Sequence, residues 1–146
     1  MANTAIEPHL AILRTQGLRI TPIVTAVLNY LSETKKVSTA NELRAEMSQT
    51  LSYELDNSTI YRICERLMMC GVLCSMHKYD GIMRYFLCSQ PKNNKHHHFI
   101  CTHCHRVQEV YCNVDDKIRK VISEKLHGIV EKKFIQVEGI CKECKE

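Results

Sequence analysis

Two Cys-x-x-Cys pairs, Cys101/Cys104 and Cys141/Cys144, constrain this chain more than any other feature. A two-residue spacer lets both sulfurs of a pair reach one ion. Two pairs then complete the tetrahedral four-thiolate site that Zn²⁺ prefers. Such a site has no open position, so its role is structural. The pairs are 36 residues apart, room for a strand, a helix and a strand between them. The stretch Cys101-Thr102-His103-Cys104-His105 also matches a haem-attachment pattern. Covalent haem requires export and would leave the second pair unexplained. Neither pair sits in a visible βαβ unit, which argues against a thioredoxin-like redox motif.

The chain has 146 residues with 9 cysteines and 8 histidines. Its 45% hydrophobic and 25% charged content is that of a globular protein. The N-terminus begins Met1-Ala2-Asn3-Thr4 and carries no basic or apolar leader pattern, so a cytoplasmic location is expected. Reduced thiols at metal spacing then suggest metal before disulfide, and an odd cysteine count fits a closed disulfide framework poorly. No apolar run is long enough to span a membrane. The net charge of +4 permits nucleic-acid binding without demanding it.

The first 89 residues read as a winged helix-turn-helix domain. Ile6, Leu10 and Leu13 recur at helical spacing before Gly17. Thr21-Pro22 is an N-cap followed by proline at the first helical position, ahead of Val24, Val27, Leu28 and Leu31. Thr39 to Glu42 forms a capping box for a third helix. Asn57-Ser58-Thr59 caps a fourth, with apolar face Ile60, Ile63, Cys64 and Leu67. Extended segments 72–77 and 83–88 flank Asp80-Gly81, a hairpin signal. Residues 90–95 are polar, contain Pro91, and read as a hinge. Residues 96–146 read as a small α/β domain: strands at 99–100, 107–111 and 134–138, and a helix after Asn113 with apolar face Val114, Ile118, Val121, Ile122 and Leu126. The fold class is therefore α+β.

His96-His97-His98 stands just before the first cysteine pair. In an extended segment His96 and His98 face one side and His97 the other. With His77 and Cys88 from the hairpin, His96 and His98 make a mixed nitrogen–sulfur set suited to a second, regulatory zinc. Glu109 offers either a metal ligand or a strand-edge surface acid, and the surface acid is the reading preferred here; His9 reads as a capping or surface histidine.

Gly17 to Pro22, Ser58-Thr59-Ile60-Tyr61-Arg62, His96 to Cys104 and the terminal Cys141/Cys144 pair together resemble the ferric uptake regulator superfamily over nearly the whole chain. The resemblance implies a winged-helix DNA-binding domain (1–89), a hinge (90–95) and a dimerisation and metal-binding domain (96–146). It implies a metal-dependent homodimeric repressor, not an enzyme. Within the superfamily the chain is most similar to the zinc uptake regulator branch. Lys36 stands where iron-sensing members place a histidine, and Cys88 where they carry a glutamate. Of the accessory metal site, Lys95 and Lys133 replace two histidines, and His97 and Asp116 remain. His105 stands where glycine is usual. An iron- or peroxide-responsive regulator is the alternative within the superfamily.

Tyr61 and Arg62 fall opposite the apolar face of the fourth helix, near its N-terminus, where a recognition helix meets base edges. Arginine can pair bidentately with guanine. Arg19, Lys78 and Arg84 are candidate phosphate contacts. The expected partner is a double-stranded, pseudo-palindromic operator, matching a two-fold dimer. Two Zn²⁺ per chain are expected, the regulatory one tying the two domains together across the hinge. A zinc hydrolase or deaminase would need an open zinc position and a base, and neither His-Glu-x-x-His nor a deaminase signature occurs. A zinc-stabilised module that does not bind DNA is disfavoured by the winged-helix pattern.

Overall fold

The computed structural model describes residues 4–77, 80–89, 96–131 and 135–145. The hinge at 90–95, and the expectations placed on Lys78, Lys95, Lys133 and Phe134, fall outside these residues. Contacts divide the chain into two units, Met1–Asn94 and Lys95–Glu146.

In the first unit, helical runs begin where side chains satisfy the free N–H groups of a first turn. A 3-10 turn (Thr4–Ile6) leads into α1 (Glu7–Thr15). Helix α2 (Pro22–Thr34) is capped by the Thr21 hydroxyl, which accepts from the Val24 N–H. Helix α3 (Ala40–Leu51) carries the expected reciprocal box: the Thr39 hydroxyl accepts from the Glu42 N–H and the Glu42 carboxylate from the Thr39 N–H. Helix α4 (Asn57–Met69) is capped by Asp56, one residue before the expected cap, through the Thr59 N–H at 2.7 Å. Hydrogen bonding from the Thr59 side chain, and then from its N–H, holds the Asp56 carboxyl below its usual range. Leu13, Val27, Leu28, Leu43, Ile60 and Leu67 are fully buried and fuse the four helices.

Strand β1 (Ser38–Thr39) pairs with β3 (Met83–Leu87), which pairs with β2 (Leu73–His77), all antiparallel. Two residues carry too little alternation for β1 to be read from sequence. The wing turn closes at Gly81, whose φ of +74° suits glycine. Arg84 grips Asp80 bidentately there (3.0 and 2.7 Å), so its guanidinium braces the wing turn.

In the second unit, β4 (His97–Cys101) lies between β5 (Val107–Val110), antiparallel to it, and β6 (Gln136–Gly139), parallel to it. A parallel neighbour requires a long crossover. Helix α5 (Val114–Leu126) lies in it. A helical turn, α6 (Lys142–Lys145), ends the unit. Of the expected apolar face of α5, Val114 and Ile122 are half-buried and Ile118, Val121 and Leu126 are exposed.

Candidate metal centres and nucleic-acid interface

The parallel register sets Cys101 beside Gly139, so both cysteine pairs emerge from the same end of neighbouring strands. Thr102 fastens them, its N–H donating to the Gly139 carbonyl at 2.7 Å and its hydroxyl to the same oxygen at 3.1 Å. A side chain at 139 would crowd the Phe99 ring, because a Cβ there would lie 3.0 Å from it and the ring would have to shift by a few tenths of an ångström. The sulfurs of Cys101, Cys104, Cys141 and Cys144 lie within 4.8 Å of one another, with 3.8 Å between those of Cys104 and Cys141. Four sulfurs about 2.3 Å from a tetrahedral ion stand about 3.8 Å apart, so the cluster fits zinc. N–H groups of Cys104 (3.5 Å) and Cys141 (3.4 Å) point at the Cys101 sulfur and draw its thiol down to about 5. The thiol of Cys144 goes the other way, up to about 12, chiefly through its contact with Cys141. Four thiolates cannot coexist there without a cation; zinc binding must release protons, and affinity should fall as pH falls. His105, just after the first pair, has φ +61°, a left-handed conformation that favours glycine.

The alternation of the histidine run holds. His97 turns to Asp115 (3.3 Å), not to Asp116. His96 and His98 meet on the opposite side, ring centroids 4.8 Å apart. Glu109 joins them because the register sets it directly across from His98. Its side chain is only 10% exposed, with Oε1 4.0 Å from His96 Nε2, so the surface-acid reading does not hold. The three donors lie within 4.8 Å of one another. Tyr111 donates to Glu109 Oε2 at 2.7 Å and fixes the carboxylate, as outer-shell partners of a metal ligand do. Burial and the neighbouring His96 lower His98 to about 4, leaving the neutral ring a metal needs.

The hairpin does not bring His77 and Cys88 together. His77 faces Met83 at the wing turn, whereas the Cys88 N–H donates to the Val72 carbonyl at the base (3.1 Å). Five strand steps of about 3.3 Å separate those positions, roughly 16 Å, too far for one ion. Cys74 takes the place beside Cys88, and the two are joined as a disulfide, Cα atoms 5.7 Å apart. Their shared face follows from the register: Cys74 opposes Phe86, two residues before Cys88. His9 is not a surface histidine. It is buried, and its Nε2 hydrogen-bonds the Cys88 carbonyl at 2.6 Å. His9→Leu leaves that carbonyl unsatisfied and should cost about 1–3 kcal/mol in urea-melt stability.

Asp56 aims α4 so that Tyr61 (52% exposed) and Arg62 face outward. Arg19, Arg62 and Arg66 line a cavity of about 310 Å³ with Thr21 and Thr59. Three guanidiniums with two hydroxyls suit phosphate or base-edge contacts. Cys64 packs in the core, its thiol pushed up to about 12 by burial.

A winged helix with arginines along its fourth helix, followed by an α/β unit built round metal donors, defines a metal-responsive DNA-binding regulator. The chain belongs to the ferric uptake regulator family, whose sequence model matches residues 15–138. The peroxide-responsive repressor PerR of Staphylococcus epidermidis is 26% identical over 141 residues, covering 97% of this chain and 91% of the relative. The ferric uptake regulation protein of Legionella pneumophila is 26% identical over 132 residues, covering 90% and 95%. Among solved structures, a zinc uptake regulator complexed with zinc and DNA superposes with a TM-score of 0.80 at 21% identity over 99% of this chain and 97% of that one. Holo XcZur superposes at 0.75, with 23% identity over 99% of both chains. The ferric uptake regulator of Vibrio cholerae does so at 0.58, with 24% identity over 92% and 100%. The fold these share is a winged-helix DNA-binding domain followed by a dimerisation domain. Members of the family are transcriptional regulators, not enzymes. No helix among the described residues is long and apolar enough to cross a membrane.

Proposed function

We propose that this protein is a cytoplasmic, homodimeric zinc sensor that represses zinc-uptake genes from a pseudo-palindromic operator. The observation that carries this reading is the donor chemistry outside the four-thiolate cluster: His96, His98 and Glu109 supply nitrogen and oxygen, and Cys88, with Cys74 beside it, supplies sulfur. Two imidazoles and a carboxylate alone would suit iron(II); sulfur shifts the preference to zinc. Zinc bound by these donors would supply a divalent charge. The residues' own part is to present those donors: Tyr111 orients Glu109, and His9 holds the Cys88 backbone. Exposed Ile118, Val121 and Leu126 supply the apolar face for a second copy. By linkage, DNA tightens zinc by the factor by which zinc tightens DNA.

The second reading, an iron- or peroxide-responsive regulator, is favoured by the His96–His98–Glu109 set and by the names of the curated relatives. Metal counting per chain, with operator retention followed across parallel zinc and iron titrations under reducing conditions, separates the two. Zinc-dependent retention with two zincs per chain is expected; retention driven by iron alone would replace the proposal with the second reading.

Arg62→Ala should weaken specific operator binding by about 1–3 kcal/mol and relax sequence preference, with zinc content unchanged. Fluorescence anisotropy on operator and scrambled DNA measures both; equal affinity and equal preference would remove Arg62 from the interface.

A further inference from the structure

We propose that Glu65 is a sequence-selecting residue of helix α4, its carboxylate accepting a hydrogen bond from the N4 amino group of a cytosine in the major groove. The inference rests on the reading of α4 as the recognition helix. It adds to that helix a base contact opposite in charge to the arginines beside it.

Helical spacing puts Glu65 among those residues. Positions three and four apart are neighbours on one face of a helix. Glu65 stands three residues after Arg62 and four after Tyr61, so it lies between them on the outward stripe, one turn further along. Tyr61, Arg62, Glu65 and Arg66 are all exposed, while Ile60, Cys64 and Leu67 hold the opposite face in the core.

A single acid in a stripe of arginines invites an ion pair, and none is made. Arg62 turns its Nε back to the Ser58 carbonyl at 3.4 Å instead of forward to Glu65. Among the described residues no ion pair or hydrogen bond holds the Glu65 carboxylate. The wing of the same unit shows the alternative use of an acid, where Asp80 is taken up wholly by Arg84. Glu65 is therefore not committed to bracing its own helix, and its acceptor oxygens stay available on the outward stripe.

A carboxylate facing DNA is repelled by every phosphate, so it weakens binding unless it meets a donor. The major groove offers two amino donors, cytosine N4 and adenine N6. Beside adenine N6 stands the N7 acceptor, which repels a carboxylate; beside cytosine N4 stands only a carbon-bound hydrogen. Guanine and thymine present acceptors in their place. Glu65 thus selects cytosine by one attraction and rejects the other bases by repulsion, a device that raises specificity without raising affinity for DNA at large.

The test uses the full-length protein, reduced and loaded with zinc, and a pool of random duplex DNA from which each protein selects its preferred sequences. Wild type, Glu65→Ala and Glu65→Gln are compared; Glu65 is exposed, so neither substitution disturbs the core. The expected wild-type motif carries a cytosine in each half-site that Glu65→Ala no longer selects, with the other positions kept. On the wild-type motif Glu65→Ala should bind about 5- to 150-fold more weakly, the effect of one lost base contact. Its affinity for a scrambled duplex should not fall, because a charge repelled by phosphate has gone. Glu65→Gln keeps an acceptor oxygen and gains a donor, so adenine should join cytosine at that position. The proposal is overturned if Glu65→Ala selects the wild-type motif unchanged, if its preference weakens evenly at all positions, or if affinity for motif and scrambled DNA falls together. Failure of the underlying reading is distinguishable: the wild type would then select no motif, or Arg62→Ala would select the same motif as the wild type.

Discussion

Cys144→Ser is expected to unfold the second unit and, with it, the proposed dimer, not merely to dull the metal response. A structural zinc contributes about 10–16 kcal/mol of apparent binding free energy, and in a small domain that is folding free energy. The second unit has little else to rely on. Among its described residues the fully buried ones are few, Ile100, Cys101 and Cys141 with His97, and α5 buries none of its own. Chains this short need a metal or disulfide staple when the core is small. Cys101→Ser should act in the same way, because the Cys101 sulfur also receives two backbone N–H groups that organise both turns. Circular dichroism and sedimentation velocity test the expectation. A folded dimer of native stability would show that the cluster is not the structural staple.

The second large effect is expected at Cys88. Under reducing conditions Cys88→Ser should keep the fold, the dimer and one zinc per chain, and lose the second zinc. A serine hydroxyl is a hard, protonated donor, whereas a thiolate brings both charge and softness. The loss should remove the metal's leverage on DNA, about 5- to 150-fold for couplings of 1–3 kcal/mol. Elemental analysis and an operator titration at buffered free zinc measure it. Two zincs per mutant chain with an unshifted zinc midpoint would refute the assignment. His77→Ala, in contrast, should leave zinc content and midpoint unchanged, because its place at the wing turn is remote from Cys88.

The sequence by itself determined the helices of the first unit, since apolar spacing and caps such as Thr21-Pro22 and Thr39/Glu42 act over a few residues. It also determined the four-thiolate cluster, because the two-residue spacer is a local constraint, and the split of His97 from His96 and His98, because strand side chains alternate. Only the tertiary structure decided which distant residues meet. Hairpin register rejected His77 and selected Cys74 as the neighbour of Cys88; a count along the chain places His77 near the hairpin but says nothing of which end it occupies. Register across β4 and β5 turned Glu109 from a surface acid into a partner of two histidines, and packing of α1 carried His9 to a carbonyl 79 residues away. Strand pairing and helix docking are long-range events, and no local pattern encodes their offset. The exposed face of α5 has the same origin: amphipathicity is written in the sequence, but what buries the apolar side is not.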